Sequence, residues 1–257
     1  MTDGDLAAPQ NTAGRAVAPH GTGAGALTWT KERGTRRGPA PDLTQIVRVT
    51  VALADAEGIQ AVSMRRVAAA LRSGTASLYR CIDGREELLE LMVDAVLGDD
   101  PHPPLSGSWR VDLTAFARQL RVLLRRHPWL GPQITGRPTL GPHALCHYEF
   151  ALTATTSLTT DATSATGVVD TVMAYVLGAT ARETAEAETQ RRTGMTEQEW
   201  RASVGPYVQQ IVQSGRYPQV ARSVREAKDP DHEQRFEFGL ACVLDGIASQ
   251  LADHQRS

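Results

Sequence analysis

The chain has 257 residues, 27 of them basic and 29 acidic, and its formal net charge of −2 by itself points to no partner. Its hydrophobic fraction of 41% suffices for one or two ordinary cores, so we expect one small domain and one larger one. No run of about 20 apolar residues occurs, and no basic segment followed by an apolar stretch opens the chain, so we expect neither a membrane span nor a secretory signal.

The first 40 residues differ in composition from the rest of the chain. They are rich in Ala, Gly, Pro and Thr, so burial cannot offset the entropy of ordering them, and we expect residues 1–40 to be a disordered, partly basic arm. Residues 31–87 contain ten Lys and Arg against seven acidic residues. A mildly basic front on an acidic body is the charge pattern of a DNA-facing domain joined to another module.

Residues 43–98 have the periodicity of four helices. Gly58 is a natural stop for the first helix, and Ser63 is an N-cap for a second helix over MRRVAAAL. The segment RSG interrupts that helix, TASLYRCI resumes it with Leu78 on the apolar side, and Glu86 favours the start of a fourth helix. Two short helices separated by a three-residue break predict a helix-turn-helix.

The second helix of this pair carries groups suited to a polar, anionic partner. In a helix-turn-helix this helix enters the major groove. The short side chains of Thr75, Ala76 and Ser77 allow a close approach to base edges, and Tyr79 and Arg80 are placed to bond phosphates. The alternative is a surface turn whose hydroxyl groups cap a helix.

The remaining residues also have helical periodicity. Six helices are predicted over 109–126, 142–158, 165–191, 197–213, 217–227 and 232–252. Nothing in the pattern indicates a sheet, so we predict an all-α fold: a three-helix helix-turn-helix head joined to a larger helical bundle.

The segment from Ile46 to Val96 resembles the DNA-binding domain of the TetR family of transcriptional regulators. The resemblance depends on EG after the first helix, SMRRVA at the second, SLYR in the recognition helix and Arg85 at the fourth. It implies a DNA-binding domain over residues 41–88 and a ligand-binding and dimerisation domain over 89–257. It also implies that Arg65 reads a base, that Tyr79, Arg80 and Arg85 bind phosphates, and that Ser63 touches one. We count Arg36 and Arg37 of the basic arm among the DNA contacts.

One departure from the family pattern lies in the turn. The family usually has Gly followed by an apolar residue there, whereas this chain has Arg72 and Ser73. It therefore lacks the residue that most easily adopts a positive φ, and we expect a less rigid turn. Arg72 is also a further phosphate ligand by position. The alternative function that follows is a helical small-molecule-binding module with a weakened DNA-binding head.

The second part of the chain is similar to the C-terminal domain of the tetracycline-repressor branch. The similar segments are LLRRHPWL, YVLGATARETAEAE, TEQEWRASVGPYVQQIVQSGRYP and FEFGLACVLDGI. The resemblance implies a homodimer formed by the helix near 197–213 and the last helix, which binds a pseudo-palindromic operator. The expected interface stripe is Phe236, Leu240, Val243, Leu244 and Ile247, unless these serve the internal core alone.

The same resemblance implies an internal pocket for a small-molecule effector that releases the protein from DNA. The expected lining residues are Leu120, Leu124, His147, Phe150, Met173 and Leu177, with His147 as the polar anchor. By this reading the chain is a repressor that works in the cytoplasm, needs no cofactor and contacts no membrane. Its three scattered cysteines, Cys81, Cys146 and Cys242, agree with a reducing compartment.

An enzyme remains a distant alternative. His143 and His147 are four residues apart, a spacing that metals use, with Cys146 between them and Glu183 or Glu186 as a further ligand. Such a pair usually belongs to an ordinary helix. No phosphate-binding loop, nucleophile elbow or paired CxxC occurs, so we do not expect an enzyme.

Overall fold

The computed structural model describes residues 28–30, 42–136, 139–228 and 230–254. The chain divides into two compact units, Met1–Glu32 and Arg33–Ser257. The first unit is described only at a 3-10 turn, Thr28–Thr30. The rest of the predicted arm, with Arg36 and Arg37, lies outside the described residues. Both the predicted head and the predicted body belong to the second unit.

In its described part, the second unit consists of α-helices joined by turns and contains no strand, which confirms the all-α fold class. The helices are α1 (Leu43–Glu57), α2 (Met64–Ala70), α3 (Thr75–Tyr79), α4 (Arg85–Leu97), α5 (Trp109–Arg126), α6 (Leu130–Ile134), α7 (Pro142–Ala154), α8 (Ala162–Thr193), α9 (Glu197–Gln213), α10 (Pro218–Glu226) and α11 (His232–His254). None of these described helices is both long and apolar enough to cross a bilayer.

The head is organised by caps at the helix starts that the sequence predicted. Asp42 accepts a hydrogen bond from the Gln45 amide at 2.6 Å and so begins α1. Ser63 accepts one from the Arg66 amide at 3.3 Å and begins α2. On α3 the apolar Leu78 is fully buried, and it fixes the rotation of that short helix against the head.

In the turn between α2 and α3, Arg72 stands where the family pattern usually has Gly, and it adopts the left-handed conformation that glycine favours. Arg72 has φ 51° and is the described non-glycine residue with a positive φ. The Ser73 amide closes the turn by donating to the Ala68 carbonyl at 2.9 Å. A left-handed conformation costs a residue with a Cβ about 1–2 kcal/mol. The turn therefore forms, at an energetic cost to the head.

α4 joins the head to the body and is buried along most of its length. Its Asp94 carboxylate accepts hydrogen bonds from the amides of His143 and Ala144, each at 2.9 Å, and so caps α7 across the fold. The same carboxylate contacts Nδ1 of His143 at 2.9 Å. The buried carboxylate of Asp94 thus connects α4 to α7 of the body through three polar contacts.

The core of the body lies where α5 and α11 pack against α8 and where α7 packs against α4 and α5. Phe116 and Leu120 of α5 and Phe236 of α11 are among its fully buried side chains. α8 and α11 approach closely at Gly239, where an added Cβ would clash with the Tyr175 hydroxyl group. That hydroxyl donates to the Phe236 carbonyl at 2.8 Å.

Two features of the body differ from the predicted helices. The short helix α6 was not predicted, because five residues containing a Gly-Pro pair show no clear period. α7 ends at Ala154 and a 3-10 turn, Thr155–Ser157, follows it, whereas one helix was expected to run to 158.

The stripe expected at a dimer interface lies inside the protomer, as its alternative of an internal core predicted. Phe236, Leu240, Leu244 and Ile247 are buried within the protomer itself, and Val243 is half-buried. These side chains form the seam between α11 and the rest of the body. The outward side of α11 carries Phe238 instead, which is 74% exposed.

Candidate functional site

The face of α3 that was predicted to meet DNA is turned to solvent. Thr75, Ala76 and Arg80 are exposed, Tyr79 is 55% exposed and Ser77 is half-buried. Because Leu78 occupies the inward position, the other side chains of this five-residue helix are directed away from the core. None of them is enclosed by the protein's own body.

Two neighbouring arginines of α2 have different surroundings. Arg66 is held by Glu57 of α1, with Nη2 at 2.6 and 2.7 Å from the two carboxylate oxygens. Arg65 is exposed and has no side-chain hydrogen bond or ion pair within the described part of the chain. Arg65 is therefore the guanidinium of α2 that is available to a partner.

Arg85 has a structural role that sequence reasoning missed. Its Nε donates to the Val62 carbonyl at 3.0 Å and its Nη2 to the Ile59 carbonyl at 3.1 Å. The side chain thus ties the start of α4 to the turn between α1 and α2. Its sequence neighbours give no signal of this, since the contact joins residues more than 20 positions apart.

Ser77 and Arg80 form a pair on the surface of α3. Nη2 of Arg80 donates to the Ser77 hydroxyl oxygen at 2.8 Å. Because the oxygen accepts this bond, the hydroxyl hydrogen of Ser77 remains free to donate to an acceptor. The pair orients both side chains before any partner arrives.

Inside the body, four rings form a cluster that we call the ring cluster: His102, Phe116, His147 and Phe150. The His102 ring is stacked on Phe150, with centroids 4.2 Å apart and planes inclined by 9°. The His147 ring lies 4.6 Å from His102 and 4.8 Å from Phe116. Sequence reasoning identified His147 and Phe150 but missed His102, which lies in a proline-containing loop without any period.

The ring cluster holds buried polar atoms without hydrogen-bond partners among the described residues. They are both ring nitrogens of His147, Nδ1 of His102 and Oε1 of the adjacent Gln119. Burial lowers the pKa of His147 to about 3, helped by the nearby His102. Burial also lowers the pKa of His102, opposed by the Gln119 side chain. Both imidazoles are therefore neutral near pH 7, and each can donate and accept one hydrogen bond.

A second feature of the body is a cavity of about 250 Å³ between α5, α6 and α8, which is partly open to solvent. The predicted residues Leu124 and Leu177 line it, together with residues of the segment 128–135. Thr180 lines it too, and its buried hydroxyl oxygen has no hydrogen-bond partner among the described residues. Leu120 is fully buried and Met173 half-buried.

The structure thus divides the predicted pocket residues between two places. His147 and Phe150 belong to the ring cluster, whereas Leu124 and Leu177 line the cavity. Unpaired buried polar atoms occur at both places, and such atoms are rare in folded proteins unless a ligand, water or function uses them.

The two histidines that were considered as metal ligands in the distant enzyme alternative have two other roles. His143 contacts Asp94 at the start of α7, and His147 belongs to the ring cluster. Within the described residues no three His, Cys, Asp or Glu side chains come together as metal ligands.

A helix-turn-helix head with an exposed recognition helix, joined by a long helix to a helical body with unpaired polar groups inside, defines a DNA-binding regulator with a sensory domain. Comparison with known proteins agrees with this class. The profile of the tetracyclin repressor-like C-terminal domain matches residues 100–251. The chain belongs to the TetR family of helix-turn-helix transcriptional regulators.

Two relatives in sequence are themselves regulators. The HTH-type transcriptional repressor DrrR1 of Streptomyces coeruleorubidus is 40% identical over 234 residues, which cover 89% of this chain and 86% of DrrR1. An HTH-type transcriptional regulator of Saccharopolyspora erythraea is 34% identical over 160 residues, or 62% of this chain and 68% of the relative.

Among solved structures, ActR from Streptomyces coelicolor has a similar fold. Apo ActR has a TM-score of 0.68 and 24% identity, and the match covers 85% of this chain and 100% of ActR. ActR has also been solved in complex with (S)-DNPA, with a TM-score of 0.67, 25% identity and coverage of 81% of this chain and 97% of ActR.

Proposed function

We propose that this regulator is a repressor that binds a pseudo-palindromic operator as a homodimer and is released by a small molecule bound in its body. The observation that carries the DNA-binding part is the exposed face of α3, with Thr75, Ala76 and Tyr79 outward and Leu78 inward. By this proposal it acts on the chromosome in the cytoplasm of a bacterium, and it acts by binding and not by catalysis.

The roles on DNA follow from which polar groups remain available. Arg65 reads a base edge, because its guanidinium is exposed and unpaired within the described residues. Thr75, Ala76 and Ser77 lie against the bases, and their small size permits the approach. Tyr79 and Arg80 bind phosphate oxygens, which gives affinity without sequence choice.

Arg85 and Ser63 combine a structural bond with a phosphate contact. Arg85 uses Nε and one Nη2 hydrogen on backbone carbonyls, so its Nη1 group remains available in a fixed orientation. Ser63 accepts a bond from the backbone as an N-cap, so its hydroxyl hydrogen is free to donate. We assign both residues to the phosphate backbone.

The homodimer is proposed to use the outward sides of α9 and α11. α9 has no buried residue in the protomer, and it presents Trp200 and Tyr207 to solvent, while α11 presents Phe238. Exposed aromatic side chains of this kind are enriched in interfaces. A two-fold dimer also fits the DNA, since two recognition helices read half-sites about 34–36 Å apart.

The effector is proposed to bind in the body, at the ring cluster or in the cavity lined by Leu124 and Leu177. The stacked pair of His102 and Phe150 favours a planar ring system. The neutral imidazole of His147 favours a hydroxyl or carbonyl group on it, because both ring nitrogens lack a partner within the described residues. Oε1 of Gln119 favours a hydroxyl group, since the Gln119 Nε2 already donates to backbone carbonyls. Leu120, Leu124, Met173 and Leu177 would supply the apolar walls. (S)-DNPA, which was solved with ActR, is a first probe.

The DNA-binding proposal is tested by selecting bound duplexes from a random pool with the purified full-length chain. We expect an inverted repeat, with binding that weakens steeply as salt rises and weakens further when one half-site is scrambled. Equal affinity for selected and scrambled duplexes at every salt concentration would contradict it. Release is then measured by titrating (S)-DNPA into the complex.

A second function has one observation in its favour. The positive φ of Arg72 places a conformational cost in the turn that positions α3, as a small-molecule-binding module with a weakened head would show. This alternative predicts no selected sequence even at low salt, together with ligand binding that stabilises the body. The selection experiment therefore separates the two functions.

A further inference from the structure

A polar contact joins the head to the turn between α5 and α6. Asp55 lies on α1 of the head, near its C-terminal end. Its Oδ1 is 2.7 Å from Nδ1 of His127 and 2.7 Å from Nε1 of Trp129. We call this group the Asp55 latch. Since an ionised carboxylate only accepts hydrogen bonds, the two rings are the donors, and His127 carries its hydrogen on Nδ1.

The Asp55 latch is largely buried on the body side. His127 and Trp129 are 4% and 5% exposed, and their rings meet edge to face at 5.8 Å. Two ring N–H groups therefore depend on one oxygen atom of the head for a hydrogen bond. If the head turns away from the body, both donors lose that acceptor together. The two hydrogen bonds are therefore expected to form and break as a unit.

The same segment of chain forms one wall of the cavity. Pro128 follows His127, and Gly131, Pro132 and Thr135 continue the segment through α6, with all four residues lining the cavity opposite α8. Trp129 directly precedes α6 as its N-cap residue. A molecule that fills the cavity thus presses on the short segment whose other side holds the head.

We propose that the Asp55 latch couples occupation of this cavity to the orientation of the DNA-binding head. Filling the cavity displaces the segment 128–135, separates His127 and Trp129 from Asp55, and leaves the heads poorly set for two half-sites. Asp55 is a positioning residue, because it touches neither DNA nor ligand. This inference rests on the proposed function and specifies its regulation.

The test uses a side chain in place of the unidentified effector. Ala181 of α8 lies at the exposed mouth of the cavity, so the ring in Ala181→Phe would occupy its opening. Operator affinity is measured on a selected duplex for the wild type, Ala181→Phe, Asp55→Ala and the double variant. We expect Ala181→Phe to weaken operator binding at least tenfold in the wild-type background. In the Asp55→Ala background it should have less than a twofold effect, since the latch is already open.

Matched variants separate the latch from general damage. Trp129→Phe keeps the ring but removes one donor, so it should give an intermediate loss of coupling, and Asp55→Asn keeps an acceptor oxygen and should restore most of it. Urea unfolding of each variant identifies any that are not folded. A further readout is the emission of Trp129 after Trp29, Trp109 and Trp200 are changed to Phe, which should shift when Ala181→Phe is added.

The outcomes are distinct. Equal effects of Ala181→Phe with and without Asp55 would overturn the latch, as would no effect in either background. A wild-type chain that selects no duplex would instead contradict the proposed DNA-binding function. In that case the Trp129 emission still tests whether filling the cavity opens the latch.

Discussion

The head and the body differ in whether polar groups without a hydrogen-bond partner lie at the surface or in the interior. In the head, Arg65 and Tyr79 are at the surface and have no side-chain hydrogen bond among the described residues. In the body, the buried groups without a partner among the described residues include His102, His147 and Thr180. On the surface of the body, Arg118 is paired with Glu237 at 2.7 Å.

This difference indicates where each region lacks a partner. Folded proteins pair nearly all buried polar groups, so the groups left unpaired among the described residues of the body support the proposed ligand site. Exposed groups are solvated and need no such explanation. The guanidinium of Arg65 on α2 and the phenol of Tyr79 on α3 are nevertheless groups of the kind that bind DNA. The head is thus arranged to bind outward and the body to bind inward.

At neutral pH, the largest effect on stability is expected where a buried polar group is fully paired. Asp94→Ala removes the acceptor of two backbone amides at the start of α7. We expect a loss of about 3 kcal/mol in the free energy of unfolding, because the amides are left buried and the hydrogen bonds were charge-assisted. Urea denaturation measures it.

Asp99→Ala, at an exposed position just beyond α4, is the matched control and should change stability by less than about 0.5 kcal/mol. If the two variants unfold at the same urea concentration, Asp94 does not fasten α4 to the body.

The unpaired groups of the head should behave differently. Arg65→Ala is expected to cost about 1–3 kcal/mol in operator binding and to relax the preference at one base position in each half-site. Tyr79→Phe should weaken binding to all duplexes alike, since it removes a phosphate contact. Neither variant should alter stability in urea. A uniform loss across sequences in both variants would contradict this division of roles.

The unpaired imidazole of the body should make the protein sensitive to acid. His147 has a pKa of about 3 in the folded protein, below its ordinary 6.5, so the unfolded chain binds a proton first as the pH falls. The contribution of His147 to the free energy of unfolding is fully present above pH 6.5. It declines as the pH falls from 6.5 to 3, by up to about 1.4 kcal/mol per pH unit.

His147→Phe keeps a ring in the cluster and removes the titrating group. Its free energy of unfolding should fall less steeply than that of the wild type over the same pH range, and it should be higher at pH 4.5. Parallel curves for the two proteins would show that the buried imidazole does not titrate on unfolding.

The sequence predicted the head more fully than the body. Caps such as Ser63 and breaks such as RSG act over a few residues, so a local pattern reports them. The Asp55 latch and the carbonyl contacts of Arg85 join residues far apart in the chain, and no periodicity carries them. The stripe of α11 that was expected at a dimer interface is buried within the protomer, because apolar spacing identifies a buried face but not what covers it.

The smallest effect is expected at the turn between α2 and α3, where Arg72 adopts a positive φ. Arg72→Gly should raise the free energy of unfolding by about 1 kcal/mol, because glycine adopts a positive φ without the Cβ penalty. If Arg72 also binds a phosphate, the variant will lose affinity and its salt dependence will decrease by about one counterion. Arg72→Asn tolerates the same φ and distinguishes the loss of strain from the loss of charge. A glycine variant that is less stable than the wild type would show that the turn is not strained.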